Sequence, residues 1–219
     1  AITWFFEHEE MGIILEDDTV PSLSFFWFCE ELLKRYKDDK RIAIISGNNF
    51  QDGIKRGDGD YYFSIYNHIW GWATWRDRWE GYDFELDSFK DDKFIEELFV
   101  NKKAIKYWKN IFWKMKRREI DSWAYPWTFH LWKKKQLSIL PQVNLVSNIG
   151  FGEEGTHTKV KQKGISEIPV EEIDILNLKH PSRIERNEEA DEYTFKKCCA
   201  PRPLWFRIIR KIRTYIGAR

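Results

Sequence analysis

Three consecutive carboxylates, Glu16, Asp17 and Asp18, are the residues of this sequence best suited to chemistry. They directly follow an apolar run at residues 12–15, and a helix-start signal at residues 21–24 comes after them. Carboxylate oxygens at the end of a strand are typical ligands of Mg²⁺ or Mn²⁺, and a divalent ion can neutralise the charge of a leaving diphosphate. The alternative is that these acids cap the next helix or favour its N-terminal dipole.

The elements around the triplet alternate between strand and helix patterns. The apolar run 12–15 predicts a strand buried on both faces, as in a parallel sheet, and residues 42–46 predict a second one. A helix capped by Ser22 or Ser24 and running to about Tyr36 separates them, which makes a βαβ unit. Since ligands bind beyond the carboxyl ends of strands in open α/β sheets, the triplet lies where a binding site is expected.

The later part of the chain continues with shorter elements and then becomes charged and irregular. Residues 61–65 predict a strand, residues 68–75 turn into a helix around Thr74, and residues 144–158 predict a polar loop. Further predicted elements are two helices within 88–118, a helix from Asp121 or Ser122 to about Lys135, and a short strand at 137–140.

Three further side chains could act together with the triplet. Asp121 could take a proton from an acceptor hydroxyl as a general base, or could be the N-cap of the helix that follows it. His157 lies in a glycine-bearing loop, where its imidazole could ligate a metal or simply be solvated. The amide of Asn48 could bind sugar hydroxyls at another strand end, although turn formation explains it about as well.

Tryptophan is far above normal usage, with 12 residues in a chain of 219. Aromatic faces suit stacking on sugar rings, but they also fill cores. Trp70 and Trp72 flank Gly71, where the missing Cβ permits close approach of backbone or ligand. Together with Trp123, which lies near Asp121, they could form a platform for a donor or acceptor sugar. Core packing is the stronger alternative for at least one of them.

The order of these motifs resembles that of GT-A glycosyltransferases. The residues that carry the resemblance are 13–21 with the aromatic pair at 25–26, then 68–75, 121–125, 144–152 and 156–158. They most resemble bacterial family 2-like sugar transferases of polysaccharide gene clusters, in the nucleotide-diphospho-sugar transferase superfamily. The Glu-Asp-Asp form with its aromatic pair is also similar to N-acetylglucosaminyltransferase I. The resemblance covers about residues 1–185.

The resemblance implies an α/β fold of GT-A type, with a mostly parallel sheet flanked by helices, and a metal-dependent, inverting sugar transferase. Asp18 would be the direct ligand of Mn²⁺ or Mg²⁺, with His157 as a late ligand near the diphosphate. Glu16 and Asp17 would contact the ribose or the sugar of a nucleotide-diphosphate sugar donor, and Asp121 would be the general base. The expected acceptor is a glycan or a lipid-linked sugar in bacterial surface polysaccharide synthesis.

The resemblance also bears on where the chain begins. GT-A domains carry a strand and loop that hold the nucleotide base upstream of the metal motif, whereas residues 2–6 read as the end of a helix already under way. We therefore expect the natural protein to extend beyond Ala1. Residues 1–185 would then be a partial catalytic domain that lacks its first nucleotide-binding strands and part of the donor site.

Residues 186–219 predict a charged tail with an amphipathic end. Its last residues set Leu, Trp and Ile against Arg and Lys, as in a helix that lies at a membrane interface. A helix packed on the domain and an unstructured end are the alternatives.

Composition restricts the partners and the compartment. The net charge of +1 argues against nucleic acid as a partner. Three cysteines do not make a disulfide framework and suit a reducing cytosol. Neither a transmembrane run nor a signal peptide is visible. We expect a cytoplasmic protein with peripheral contact to the inner face of the membrane.

Two other functional classes stay open. A metal-dependent nucleotidyl or phosphoryl transferase would share the acidic strand end, although the sequence shows no Walker-type or dinucleotide glycine motif. A non-catalytic carbohydrate-binding domain would explain the tryptophans, but it would not need acids at the end of a strand.

Overall fold

The computed structural model describes residues 1–151, 164–165 and 168–200. The strands are β1 (Met11–Ile14), β2 (Thr19–Pro21), β3 (Ile42–Ser46), β4 (Tyr61–Ser64), β5 (Trp72–Trp75), β6 (Leu137–Pro141) and β7 (Val146–Asn148). The helices are α1 (Ile2–His8), α2 (Leu23–Arg35), α3 (Arg76–Trp79), α4 (Lys93–Leu98), α5 (Lys102–Lys116), α6 (Ala124–Lys133) and α7 (Glu188–Thr194), which continues into a π-helical turn, Phe195–Cys199.

The main sheet has five strands in the order β1-β5-β3-β6-β4, flanked by helices, so the α/β class is confirmed. The expectation of a mostly parallel sheet is wrong for the described residues. Only β3 and β6 pair in parallel, while β5 runs antiparallel to both β1 and β3, and β4 runs antiparallel to β6. Because β1 lies at the edge of this sheet, its residues are half-buried rather than buried on both faces.

The segment that contains Thr74 is a strand, which corrects the helix expected there. All four residues of β5 are buried in the middle of the sheet, and the Thr74 hydroxyl donates to the Ala43 carbonyl at 2.5 Å. The helix α3 begins only at Arg76. A Thr that follows apolar residues resembles a helix cap, but β-branched and aromatic residues also favour a strand with neighbours on both sides.

A second, two-stranded sheet occupies part of the segment expected to be a loop. Here β2 pairs antiparallel with β7, so that Thr19 lies opposite Asn148 and Pro21 lies opposite Val146. A three-residue strand among glycines and polar residues leaves little periodic signal in the sequence. This small sheet joins the residues directly after the acidic triplet to residues about 130 positions further along the chain.

Two apolar cores cover the faces of the main sheet. Successive residues of β5 point to opposite cores, since Trp72 belongs to one and Ala73 to the other. The helix α2 packs on the second core through Phe25 and Phe28, while α5 and α6 pack on the first. Of the 11 tryptophans in the described residues, six are buried and serve packing: Trp72, Trp75, Trp79, Trp108, Trp127 and Trp132.

The start of the predicted charged tail packs into the same core. Asp191 is 2% exposed and accepts hydrogen bonds from the Ser64 hydroxyl and from Arg186 Nε, both at 2.5 Å. Phe195 belongs to the first core. The boundary expected after residue 185 therefore does not mark the end of the packed structure. The amphipathic end expected at 203–219 lies outside the described residues. Of the helices described, none combines the length and apolarity needed to cross a bilayer.

The buried side chain of Arg78 links three elements beside the main sheet through hydrogen bonds. Its side chain is nearly fully buried, at 1% exposure, and its guanidinium donates to the carbonyls of Tyr36, Lys37 and Ile42 at 2.9, 2.8 and 3.1 Å. The same group lies 4.3 Å from the centre of the Trp75 ring. One planar cation thereby joins α3, the end of α2 and the start of β3.

Replacing this guanidinium should destabilise the fold strongly. Arg78→Met leaves several buried carbonyls without donors, so we expect the free energy of unfolding in urea to fall by about 3–5 kcal/mol. The matched control is Arg41→Met, because Arg41 is an exposed arginine paired with Asp39, and it should change stability by less than about 1 kcal/mol. Similar losses in the two variants would contradict the role of Arg78.

Candidate functional site

The acidic triplet forms the turn between β1 and β2, beyond the carboxyl end of β1. Thr19 closes this turn, since its backbone N–H and its hydroxyl both donate to the Glu16 carbonyl, at 3.2 and 2.7 Å. Asp17 is exposed, whereas Glu16 and Asp18 are half-buried. The structure therefore gives the three carboxylates different surroundings within one turn.

The start of α2 is capped by a distant residue and not by the triplet. The backbone N–H groups of Leu23 and Ser24 donate to the two carboxylate oxygens of Glu172 at 3.2 and 2.8 Å. Hydrogen bonding from Ser24 lowers the pKa of Glu172, so this cap is a carboxylate. The capping alternative for the triplet loses its support, because Glu172 occupies those N–H groups.

Asp18 lies directly before β2, beside the residues that follow β7. Its carbonyl accepts a hydrogen bond from the Ile149 N–H at 2.8 Å. Its carboxylate packs on Gly150, where an added Cβ would lie 2.1 Å from Oδ2. The other oxygen, Oδ1, is buried and has no hydrogen-bond partner among the described residues. Leaving a carboxylate oxygen buried and unpaired costs free energy that a bound cation or donor would recover.

Gly150 is itself fixed in place. Its N–H donates to the side chain of Asn148 at 2.8 Å, and Asn148 is buried at the end of β7. Any side chain at position 150 would collide with Asp18, so glycine is required by the contact between these two residues. The acidic triplet and the glycine-bearing segment singled out in the sequence are thus parts of one site.

The carboxylate of Asp18 suits a metal ion whose other ligands are mostly substrate phosphates and water. Over the described residues, no three His, Cys, Asp or Glu side chains come close enough to form a cage of their own. Mg²⁺ and similar ions are usually held by one or two carboxylates together with substrate phosphates and water, and a single buried carboxylate oxygen suits that arrangement. His157, the second expected ligand, lies outside the described residues.

Asn48 is a structural tie rather than an open binding group. It is fully buried, its Nδ2 donates to the Val146 carbonyl at 3.1 Å, and its Oδ1 accepts from the Trp70 N–H at 3.0 Å. These bonds join the end of β3 to β7 and to the segment before β5. The amide of Asn48 therefore positions the elements of the site, which differs from the turn formation considered as the alternative in the sequence.

Gly71 permits close packing within the protein. Its φ is +73°, a conformation that favours glycine, and an added Cβ would meet Val146 at 2.8 Å and Leu15 at 3.1 Å. Beside it, Trp70 is half-buried and meets the rings of Phe50 and Phe151 edge-on, with 5.3 Å between ring centres in each pair. Gly71 thus brings Trp70 next to β7, which ends at Asn148, two residues before Gly150.

Trp72 belongs to the core, so its expected part in a sugar platform is wrong. The ring is 0% exposed and stacks on Trp123 with 5.8 Å between ring centres and an angle of 23°. A fully buried ring offers no face to a ligand. Trp123 is half-buried, and one of its faces is occupied by Trp72. Of the three tryptophans expected to form the platform, Trp70 lines an open cavity.

Asp121 lies in the exposed turn before α6. The Ser122 hydroxyl, rather than Asp121, accepts from the Ala124 N–H at 3.3 Å. The hydrogen bonds of the described residues do not join Asp121 to the triplet. It is close in sequence to Ala124 and Tyr125, which line the cavity beside Trp70.

This cavity, here called the aromatic pocket, is the part of the site that the sequence did not reveal. It has a volume of about 330 Å³, and its lining includes Tyr66, Asn67, His68, Trp70, Trp108 and Phe151. These residues come from the loop before β5, from α5 and from the segment after β7. Only the cluster of aromatic and polar residues at 66–70 could have indicated it, and that cluster is equally typical of a core.

His68 is neutral in the folded protein. Burial lowers its pKa to about 3, and its ring meets Phe50 edge-on with 4.6 Å between ring centres. Its Nε2 is buried and has no partner among the described residues. The imidazole is therefore an uncharged group with a buried nitrogen beside the pocket.

The described residues thus define an α/β protein with a mixed sheet, an acidic turn at one strand end and an adjoining aromatic pocket. No protein-family model matches the chain, and no curated protein matches it either.

The low pKa of His68 makes a prediction about acid stability. Unfolded chains bind a proton at this imidazole below about pH 6.5, whereas the folded state resists it until about pH 3, so stability is lost as pH falls through that window. Between about pH 7 and pH 5 this amounts to about 1–2 kcal/mol, after allowance for solvent at the half-buried ring.

Urea unfolding at both pH values would measure this effect. His68→Gln should lose less stability than the unaltered protein between the two values, and a variant of the exposed His8, His8→Gln, should lose as much as the unaltered protein. An unchanged pH dependence in His68→Gln would show that the imidazole is readily protonated in the folded state.

Proposed function

We propose that this chain is the catalytic part of a metal-dependent glycosyltransferase of GT-A type, which moves a sugar from a nucleotide-diphosphate donor to an acceptor. The observation that carries the proposal is the carboxylate of Asp18, fixed against Gly150 with one buried oxygen unpartnered among the described residues. The next residue along the chain, Phe151, lines the aromatic pocket. Sugar transfer of this kind needs a carboxylate that can hold a metal ion and a largely apolar pocket that can hold the sugar.

In this proposal the carboxylate of Asp18 would hold Mn²⁺ or Mg²⁺. A divalent ion held there would supply positive charge against the leaving nucleoside diphosphate. Glu16 and Asp17, on the same turn, accept hydrogen bonds from hydroxyls of the donor's ribose or sugar. His157 is proposed as a further ligand, on the resemblance alone.

Asp121 is proposed as the general base. Its exposed carboxylate accepts the proton of an acceptor hydroxyl while that oxygen attacks the anomeric carbon. The bond from the anomeric carbon to the diphosphate oxygen breaks, and the configuration inverts. A glycan or lipid-linked acceptor, contact with the inner membrane face through the C-terminal residues, and a role in bacterial surface polysaccharide synthesis stay predictions from the sequence.

Two alternatives make different demands on the same residues. A nucleotidyl or phosphoryl transferase would use Asp18 for a metal, and its nucleobase could stack in an uncharged aromatic pocket, so the order of the sequence motifs is what favours the sugar transferase over it. A carbohydrate-binding domain would use the pocket, but it does not explain a carboxylate oxygen buried at a strand end. The sugar transferase accounts for both features.

Binding of a nucleoside diphosphate tests the role of Asp18. UDP with Mn²⁺, at about ten times its dissociation constant, should raise the melting temperature of the natural full-length protein by about 3–5 °C. Asp18→Asn should abolish this shift. The matched control, Asp38→Asn, removes an exposed carboxylate between α2 and β3 and should keep the shift. If none of UDP, GDP, CDP, ADP or TDP shifts the melting temperature with Mn²⁺, the proposed function is wrong.

The contact between Asp18 and Gly150 provides a second test. Gly150→Ala places a Cβ where Oδ2 now lies, so the carboxylate must rotate away. We expect Mn²⁺-dependent UDP binding to weaken at least about tenfold, about 1.4 kcal/mol, in titration calorimetry. The neighbouring control is Ile149→Ala, since that side chain is 61% exposed. Unchanged binding in Gly150→Ala would mean that the orientation of Asp18 does not matter.

A further inference from the structure

A group of exposed apolar side chains lies along the first part of the chain. Half of the large apolar side chains that are exposed in the described residues fall within residues 4–27: Trp4, Leu15, Val20, Leu23, Phe26 and Trp27. Three of them share the outer face of α2, since residues three and four apart on a helix are neighbours. Exposed apolar residues are ordinary when they are scattered, whereas a contiguous group indicates a surface that binds something.

The small sheet extends this apolar face toward the acidic turn. Val20 lies opposite Ser147 in the pair of β2 and β7. Ile149 comes two residues after Ser147, so its side chain points to the same side, and it is exposed as well. Its N–H donates to the carbonyl of Asp18 at 2.8 Å. The α2 surface, as it is called below, consists of five exposed side chains: Val20, Leu23, Phe26, Trp27 and Ile149.

The part of the chain that forms most of the α2 surface is strongly acidic. Residues 1–37 contain eight Asp or Glu and three Lys or Arg, which gives a formal net charge of −5. Two of the three cations already form ion pairs, Lys34 with Glu30 and Lys37 with Glu10. Such a surface repels an anionic membrane, and it also repels a second copy of itself. The partner that fits it is both apolar and basic.

The last residues of this sequence have that composition. Residues 201–219 contain six Lys or Arg and no Asp or Glu, which gives a formal net charge of +6. Their large apolar residues recur at spacings of three and four: Leu204, Trp205, Ile208, Ile209, Ile212 and Ile216. This segment lies outside the described residues, and its sequence complements the α2 surface in charge and matches it in apolar character.

The segment starts near the acidic turn. Ala200, which precedes it, follows Cys199, and Cys199 lines the aromatic pocket. Phe151 lines the same pocket and comes directly after Gly150, which packs on Asp18. The pocket between these two parts of the chain has a volume of about 330 Å³. An extended chain of 19 residues reaches up to about 60 Å, which is ample to pass a cavity of that size.

We propose that residues 201–219 bind the α2 surface of their own chain. The apolar side chains of the segment cover Leu23, Trp27 and their neighbours, and its basic side chains face the carboxylates of residues 7–31. Because the segment and the surface belong to one chain, the effective concentration of the segment is high and modest contacts are enough. The proposal involves neither a metal nor a nucleotide, and it does not depend on the proposed sugar transfer.

Cross-linking of the natural full-length protein tests the proposal directly. A water-soluble carbodiimide joins an amine to a carboxylate that it contacts, and Lys211 is the only lysine in residues 201–219. We expect peptide mass spectrometry to find Lys211 joined to carboxylates of residues 7–31, at a yield that falls at least twofold in about 0.5 M salt. Links from Lys211 only to carboxylates elsewhere, or no link at all, would overturn the proposal.

A mixture of ¹⁴N-labelled and ¹⁵N-labelled protein distinguishes binding within one chain from binding between chains. We expect each link to join two peptides of the same label. Links that join peptides of different label as often as peptides of the same label would show that the segment binds a second copy, which contradicts the proposal.

Variants of α2 provide an independent measurement. Leu23→Lys combined with Trp27→Lys replaces two side chains that are 77% and 60% exposed, so the fold is kept while two cations oppose the segment. Clostripain cuts after arginine, and it should cleave this variant within residues 207–213 at least fivefold faster than the unaltered protein. The matched control, Phe84→Lys with Val100→Lys, adds the same charge at exposed positions outside the α2 surface and should be cut at the unaltered rate. Equal rates for all three proteins would also overturn the proposal.

This proposal and the proposed function can fail separately, because cross-linking and proteolysis need neither UDP nor Mn²⁺. A nucleotide response without a link from Lys211 would overturn only the binding of the segment. A link from Lys211 without any nucleotide response would overturn only the transferase.

Discussion

The position of Val146 is the constraint on which the arrangement around Asp18 depends. A Cβ added at Gly47 or at Gly71 would collide with the Val146 side chain. The backbone just after β3 and the backbone just before β5 therefore both pack directly on Val146. Its carbonyl accepts from Asn48 and from Asn144. Because Val146 begins β7, whatever fixes it also fixes Asn148 and Gly150, and through them the carboxylate of Asp18.

The main sheet and its two apolar cores support this arrangement. Arg78 gathers the carbonyls at the opposite end of α2, and the stacked rings of Trp72 and Trp123 fill the space below α6. Tryptophan therefore has two roles in this protein, one in core packing and one beside the pocket. Most of the buried rings carry packing energy, while Trp70 stands at the edge of the core, where one side of an aromatic ring can serve a ligand.

Local pattern was enough to predict some of this structure. The strand Ile42–Ser46 and the helix Leu23–Arg35 were found because a buried apolar run and an apolar helical face are strong signals. The strand Trp72–Trp75 and the pairing of Val146–Asn148 were missed, since both depend on distant neighbours. Asp18 stood out by its type, but its contact with Gly150 is tertiary and leaves no trace in residue spacing. The buried nitrogen of His68 was hidden for the same reason.

The cap of α2 has a consequence for the order in which the molecule forms. Glu172 is 149 positions from Leu23, and Ser22 is likewise bonded through its N–H to the carbonyl of Leu145. During synthesis from the N-terminus, the acidic turn and the first turn of α2 leave the ribosome long before the residues that complete them. Contacts of such long sequence separation form late. The acidic turn is therefore made well before the residues that complete it, and it is among the last parts to acquire its final shape.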